Sequence, residues 1–117
     1  MRPAPAIADL AAVLVFVGIG RSVHADGLSF PGLVSTAWPF VAGLALGWIV
    51  LIAWKRDGAC LLSGLVTLVS TVSVGMALRV VAGQGTAVAF VFVAFAFLGM
   101  AMLGWRVVGA AVLRSRT

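Results

Sequence analysis

The chain has 117 residues, of which 63% are hydrophobic and only 9% charged, with a mean hydropathy of +1.22. A soluble domain carries about 25% charged residues, so this chain could not cover a water-facing surface, and its hydrophobic content excludes disorder. Eight Lys and Arg against three Asp and Glu give a net charge of +5, which in so apolar a chain reads as membrane anchors and topology signals, not as a nucleic-acid footprint.

The first apolar stretch, Leu10–Gly20, reaches spanning length only as Pro5–Val23, which includes Asp9. A signal peptide is the rival reading, with Arg2 as its basic region and Val23-His24-Ala25 as a cleavage site. Asp9 and Arg21 stand where such a peptide is neutral, so the segment is read as a helix. Asp26-Gly27 and Pro31-Gly32 are turn signals in the first loop. The next charge-free run, 27–54, gives a second helix over Val34–Trp54, with Pro39 tolerated in its first turn. Lys55-Arg56-Asp57-Gly58 is a tight polar loop. Residues 58–78 are again uncharged and predict a third helix over Ala59–Val81. Gly83-Gln84-Gly85 breaks the chain before a fourth, Thr86–Leu113. Each of the three long runs has at least 21 residues, enough to cross a ~30 Å hydrocarbon core. None alternates as a β-barrel strand would, and backbone in lipid must pair internally. The expected fold is therefore all-α: one integral membrane domain, residues 1–117, a four-helix up-down bundle with short loops.

Basic residues orient it. Arg2, Lys55, Arg56, Arg114 and Arg116 fall on the side of the termini, with Arg106 near its boundary; Arg21 and Arg79 fall on the other. That imbalance places both termini in the cytoplasm. Trp54 and Trp105 then lie near the inner interface and Trp38 near the outer one.

The pattern also reads as two similar hairpins. Each runs Val-Gly, Arg, Thr-Ala-x-x-Phe-Val and Leu-Gly-Trp: Val17 to Arg21, Thr36 to Val41 and Leu46–Trp48 in one, Val74 to Arg79, Thr86 to Val91 and Leu103–Trp105 in the other. The alternative is coincidence in a biased alphabet, and the spacings differ.

Polar residues inside the membrane are few, and a charge at a helix centre costs at least ~2.5–3.5 kcal/mol. Asp9 and Arg106 lie at similar depth on the first and last helices, so a structural ion pair between them is expected; the functional alternative is an ion- or proton-binding carboxylate. At the outer end Arg21, Thr36, Trp38, Arg79 and Thr86 are the candidate ligand-binding set, with His24, Asp26 and Gln84 nearby. Planar guanidinium groups suit an anionic lipid head or a small acidic ligand; the alternative is two arginines reaching independently to lipid head groups. On the third helix Ser63, Gly64, Thr67, Ser70, Thr71 and Gly75 fall within an arc of about 140°, and the second carries Gly43-x-x-x-Gly47. These read as close helix packing, or alternatively as a polar path or dimer face. The phenylalanines Phe90, Phe92, Phe95 and Phe97 point to more than one side of the fourth helix. Cys60 is alone, His24 is the only histidine and there is no Glu, so neither a disulfide, a metal site nor a cofactor is expected. No catalytic motif is present.

Asp9, Val-Gly-Ile-Gly-Arg21, Thr36-Ala-Trp-Pro-Phe40, Gly43 and Gly-Trp48 in the first half, with Gly75-Met76-x-x-Arg79, Gly83-Gln-Gly-Thr-Ala87, Phe90-Val91 and Leu-Gly-Trp-Arg106 in the second, resemble the small four-helix membrane proteins of actinobacteria grouped as domain of unknown function 3054. The resemblance covers nearly the whole chain and implies a bacterial plasma-membrane protein, without implying an activity. The expected function is non-enzymatic: a binding or accessory role with membrane lipids as partners, and a homodimer or another membrane subunit as further company. The alternative is a small homodimeric transporter using Asp9.

Overall fold

The computed structural model describes residues 3–23, 29–84 and 88–115. They form four α-helices: α1 Ala4–Val23, α2 Phe30–Ala53, α3 Leu61–Val81 and α4 Val88–Ser115. All four are long and apolar enough to cross a membrane, and the chain is a multi-pass membrane protein with an all-α bundle fold. Each helix packs on its sequence neighbours, and α4 closes the ring against α1. One end of the bundle carries the start of α1, the α2–α3 loop and the end of α4, and is called the termini end below; the opposite end carries the end of α1, the start of α2, the end of α3 and the start of α4.

α2 begins four residues before the expected Val34. Ser29 is its N-cap, its hydroxyl accepting from the Gly32 N–H at 3.2 Å. Pro31 and Gly32, expected in a turn, lie in the first helical turn, where the N–H that proline lacks has no helical partner to lose. Pro39 is correspondingly interior to the helix and not in its first turn.

Both helix exits use the same backbone device. After α2, Lys55 takes φ 57° and Arg56 N–H reaches Leu51 O at 3.1 Å. After α3, Gly83 takes φ 75° and Gln84 N–H reaches Arg79 O at 2.8 Å. A left-handed residue just past the helix lets the next N–H bond back to an orphan carbonyl. Gly83 does this without a Cβ penalty and delivers Gln84 beside the last turn of α3.

The tightest contact is α2 on α3. A Cβ on Gly43 would stand 2.8 Å from the Ser70 and Thr71 carbonyl oxygens, and one on Gly47 3.2 Å from Thr67 Cα. The two backbones touch there, and Ser70 Oγ donates to Gly43 O at 2.6 Å. Ser63, Thr67 and Thr71 are fully buried. The polar stripe and the Gly-x-x-x-Gly pair are thus spent on packing within the bundle, which takes them out of contention as a dimer face. Toward the opposite end, Phe16, Phe40, Phe90 and Phe97 form a ring cluster with centroids 5.6–6.0 Å apart, while Phe92 and Phe95 face outward.

Candidate functional site

Two polar clusters stand at the two ends of the bundle. At the termini end Asp9 and Arg106 form a buried, bidentate pair: Nη1 to Oδ1 and Nη2 to Oδ2, both 2.8 Å. Parallel fork-to-carboxylate bonds are the strongest geometry such a pair has. Two indoles complete it. Trp105 Nε1–H donates to Oδ1 at 2.9 Å and Trp48 Nε1–H to Oδ2 at 3.2 Å. A carboxylate offers about four lone-pair sites, and four N–H groups occupy them. Arg106 uses its remaining reach on backbone: Nε donates to Gly58 O at 3.0 Å and Nη1 to Met102 O at 2.9 Å. Its guanidinium also stacks on the Trp105 ring at 4.3 Å.

Glycine makes room for this cluster twice. A Cβ on Gly58 would come within 2.5 Å of the Trp48 ring, and one on Gly64 within 2.8 Å of Arg106 Cδ. The pair is therefore gripped by α1, α2, α4, the α2–α3 loop and the wall of α3. Trp105, expected near the inner interface, turns its indole N–H onto Asp9. It shares that carboxylate with Trp48, so the tryptophans of both Leu-Gly-Trp strings meet at one acceptor. Neither was singled out from sequence as a partner of Asp9. The repeated string was the available signal.

At the opposite end Arg21 Nη1 donates to Thr36 Oγ1 at 2.9 Å, and its guanidinium lies beside Gly32. Arg79 Nη1 donates to Gln84 Oε1 at 3.1 Å and lies over the Phe90 ring at 4.6 Å. Gln84 Nε2 in turn donates to Ser35 O at 3.0 Å. Pro39 explains that last bond. It has no N–H to offer the carbonyl four residues back, which is Ser35. In a membrane helix a freed carbonyl must find another donor, and Gln84 supplies it. The two arginine networks thus converge on consecutive residues of α2, Ser35 and Thr36. Trp38 is 42% exposed and joins neither network among the described residues. Thr86, His24 and Asp26 lie outside the described residues. Ser35 was missed by sequence, although a proline inside a membrane helix predicts a carbonyl in need of a donor.

Two grooves accompany the clusters. One, about 380 Å³, runs between α1 and α2 and is lined by Leu14, Val17, Gly18, Leu33, Val34 and Ala37, among others. Its Gly18 end lies one turn from Arg21. The other, about 590 Å³, lies at the termini end between α1, the 57–60 segment and α4. On its border Cys60 Sγ lies 3.2 Å from Ser63 Oγ, and this hydroxyl, helped by Arg56, holds the thiol below its ordinary pKa range.

Comparison with curated proteins and with solved structures returns no match. One family does match, described as "Protein of unknown function (DUF3054)", and it covers residues 6–109. With four apolar helices over that same span, the chain belongs to the DUF3054 family of proteins of unknown function.

Proposed function

We propose that this protein is a non-enzymatic binding or accessory protein of the bacterial plasma membrane, with both termini cytoplasmic. Its outer end holds the anionic head of a membrane lipid or small amphiphile at Arg21 and Arg79. The carrying observation is the placement of Arg21 at the end of the apolar groove between α1 and α2. Such a juxtaposition suits a molecule with an acidic head and an apolar tail, because a guanidinium fork matches a phosphate or carboxylate. Convergence of the second arginine, through Gln84, on the next α2 residue supports a shared site. The orientation rests on the excess of basic residues on the side of the termini. Membrane lipids are the principal partners; a second copy or another membrane subunit fits against the exposed apolar helix faces.

The transporter reading is less well supported. All four acceptor directions of Asp9 are taken by N–H donors, as suits an anchor more than a carboxylate that cycles its cargo.

Native mass spectrometry on protein extracted gently from its own membrane tests this. A bound lipid-sized mass is expected on the wild type and on Asp9→Asn, and Arg79→Ala and Arg21→Ala are each expected to retain fewer bound lipids than the wild type. An adduct unchanged in both arginine variants would overturn the outer site. Proton-coupled flux in vesicles that disappears in Asp9→Asn would favour the transporter instead.

A further inference from the structure

The groove at the termini end is separate from the outer site and has no part in the reading above. It begins at the buried Asp9–Arg106 pair and runs toward the chain ends. Leu113 lies seven residues beyond Arg106, about 10 Å along α4. Small residues form part of its walls: Ala4 and Ala8 on α1, Ala59 before α3, Gly109 and Ala110 on α4. Small residues on facing helices normally bring backbones together. Here a Cβ on Gly109 would meet nothing within 4 Å, and a groove of about 590 Å³ remains between this end of α1, the 57–60 segment and α4.

The floor carries no net charge, because Arg106 is neutralised by Asp9. The border is different. Arg56 and Arg114 are exposed and directly adjoin in sequence the lining residues Asp57 and Leu113, and exposed Lys55 precedes Arg56; the Asp57 carboxylate itself lines the groove. That carboxylate accepts from the Ala59 N–H at 3.0 Å and so holds the turn. An apolar trough with a cation-rich rim, placed where helices leave the hydrocarbon, matches one kind of occupant. We propose that it seats an acyl chain of an anionic phospholipid, with the head group held by the Lys55, Arg56 and Arg114 rim. Each basic residue at such a surface attracts anionic lipid by about 1 kcal/mol, which gives the site its preference for charge, while the trough gives it a chain to hold.

The test uses the full chain reconstituted in nanodiscs of phosphatidylglycerol and phosphatidylcholine mixed equally, with retained lipid read by native mass spectrometry. Both the wild type and Arg21→Ala/Arg79→Ala are used, so that lipid held at the outer end is told apart. Phosphatidylglycerol is expected to remain bound in preference to phosphatidylcholine in both. Gly109→Leu fills the trough from a position where a Cβ meets nothing within 4 Å, and circular dichroism verifies that the bundle still folds; this adduct is then lost. Lys55→Ala/Arg56→Ala/Arg114→Ala is expected to keep a lipid and lose the preference. Retention in Gly109→Leu equal to wild type, or equal retention of the two lipids by the wild type, overturns the proposal.

Discussion

The two ends of the bundle handle arginine in opposite ways. At the termini end Arg106 is 2% exposed and meets a full carboxylate, two carbonyls and an indole ring, with four N–H groups converging on Asp9. At the opposite end Arg21 and Arg79 are only part-buried, and their partners include a hydroxyl, the side-chain amide and the backbone carbonyl of Gln84, and an aromatic face. A fully buried charge must be matched in full, because an unmatched one in a low-dielectric interior is strongly destabilising. A charge within reach of the interface is under no such demand. The first arrangement can therefore hold helices together, and the second is the one to which we assign an exchangeable partner.

Several variants sharpen or break that contrast. The largest effect is expected from Arg106→Met, which leaves Asp9 buried and unmatched; it should destabilise by about 3–5 kcal/mol, read by denaturant titration in micelles. Arg21→Met is expected to cost less than about 1 kcal/mol in the same assay, and equal losses at the two ends would erase the distinction. Gly58→Ala drives a methyl into the Trp48 ring and should cost about 1–3 kcal/mol, although the residue lies in a loop. Gln84→Ala should cost about 1 kcal/mol in the wild type and clearly less in Pro39→Ala, where Ser35 O regains a backbone donor and only the bond to Arg79 is lost. A double-mutant cycle on this pair reads the difference, and additivity would mean that Gln84 does not serve the carbonyl. The smallest effect concerns Cys60. Because its pKa is lowered, more thiolate is present at a given pH, so alkylation should rise through a midpoint below that of an ordinary thiol. An impermeant reagent should reach it from the cytoplasmic side only.

Much of this was legible in the sequence for a simple reason. Charge-free runs long enough to span lipid leave the backbone only helical solutions, and Asp9 and Arg106 lie at equal depths on helices that an up-down topology makes neighbours. Arg21 and Thr36 follow from the same depth argument. What could not be read depends on direction and not on depth. Trp48 and Trp105 look like apolar or interfacial residues until the rotation of α2 and α4 turns their N–H groups onto one carboxylate. Gly58 acts through its carbonyl, which composition cannot show. The α2 start was displaced because Pro31-Gly32 is equally good chemistry for a turn and for a first helical turn. Once the helix is extended back to Phe30, Pro39 becomes interior, and the Ser35–Gln84 bond follows from it.

The claim that a structural ion pair locks the first helix to the last is tested most directly by a double-mutant cycle on Asp9→Leu and Arg106→Met in a lipid bilayer. Each single variant is expected to lose about 3–5 kcal/mol of stability, and the double variant clearly less than the sum of the two, since no charge is left unmatched and only the indole N–H groups and the Gly58 carbonyl lose their partners. Strictly additive losses would contradict the account, because they would mean that Asp9 and Arg106 act independently of each other.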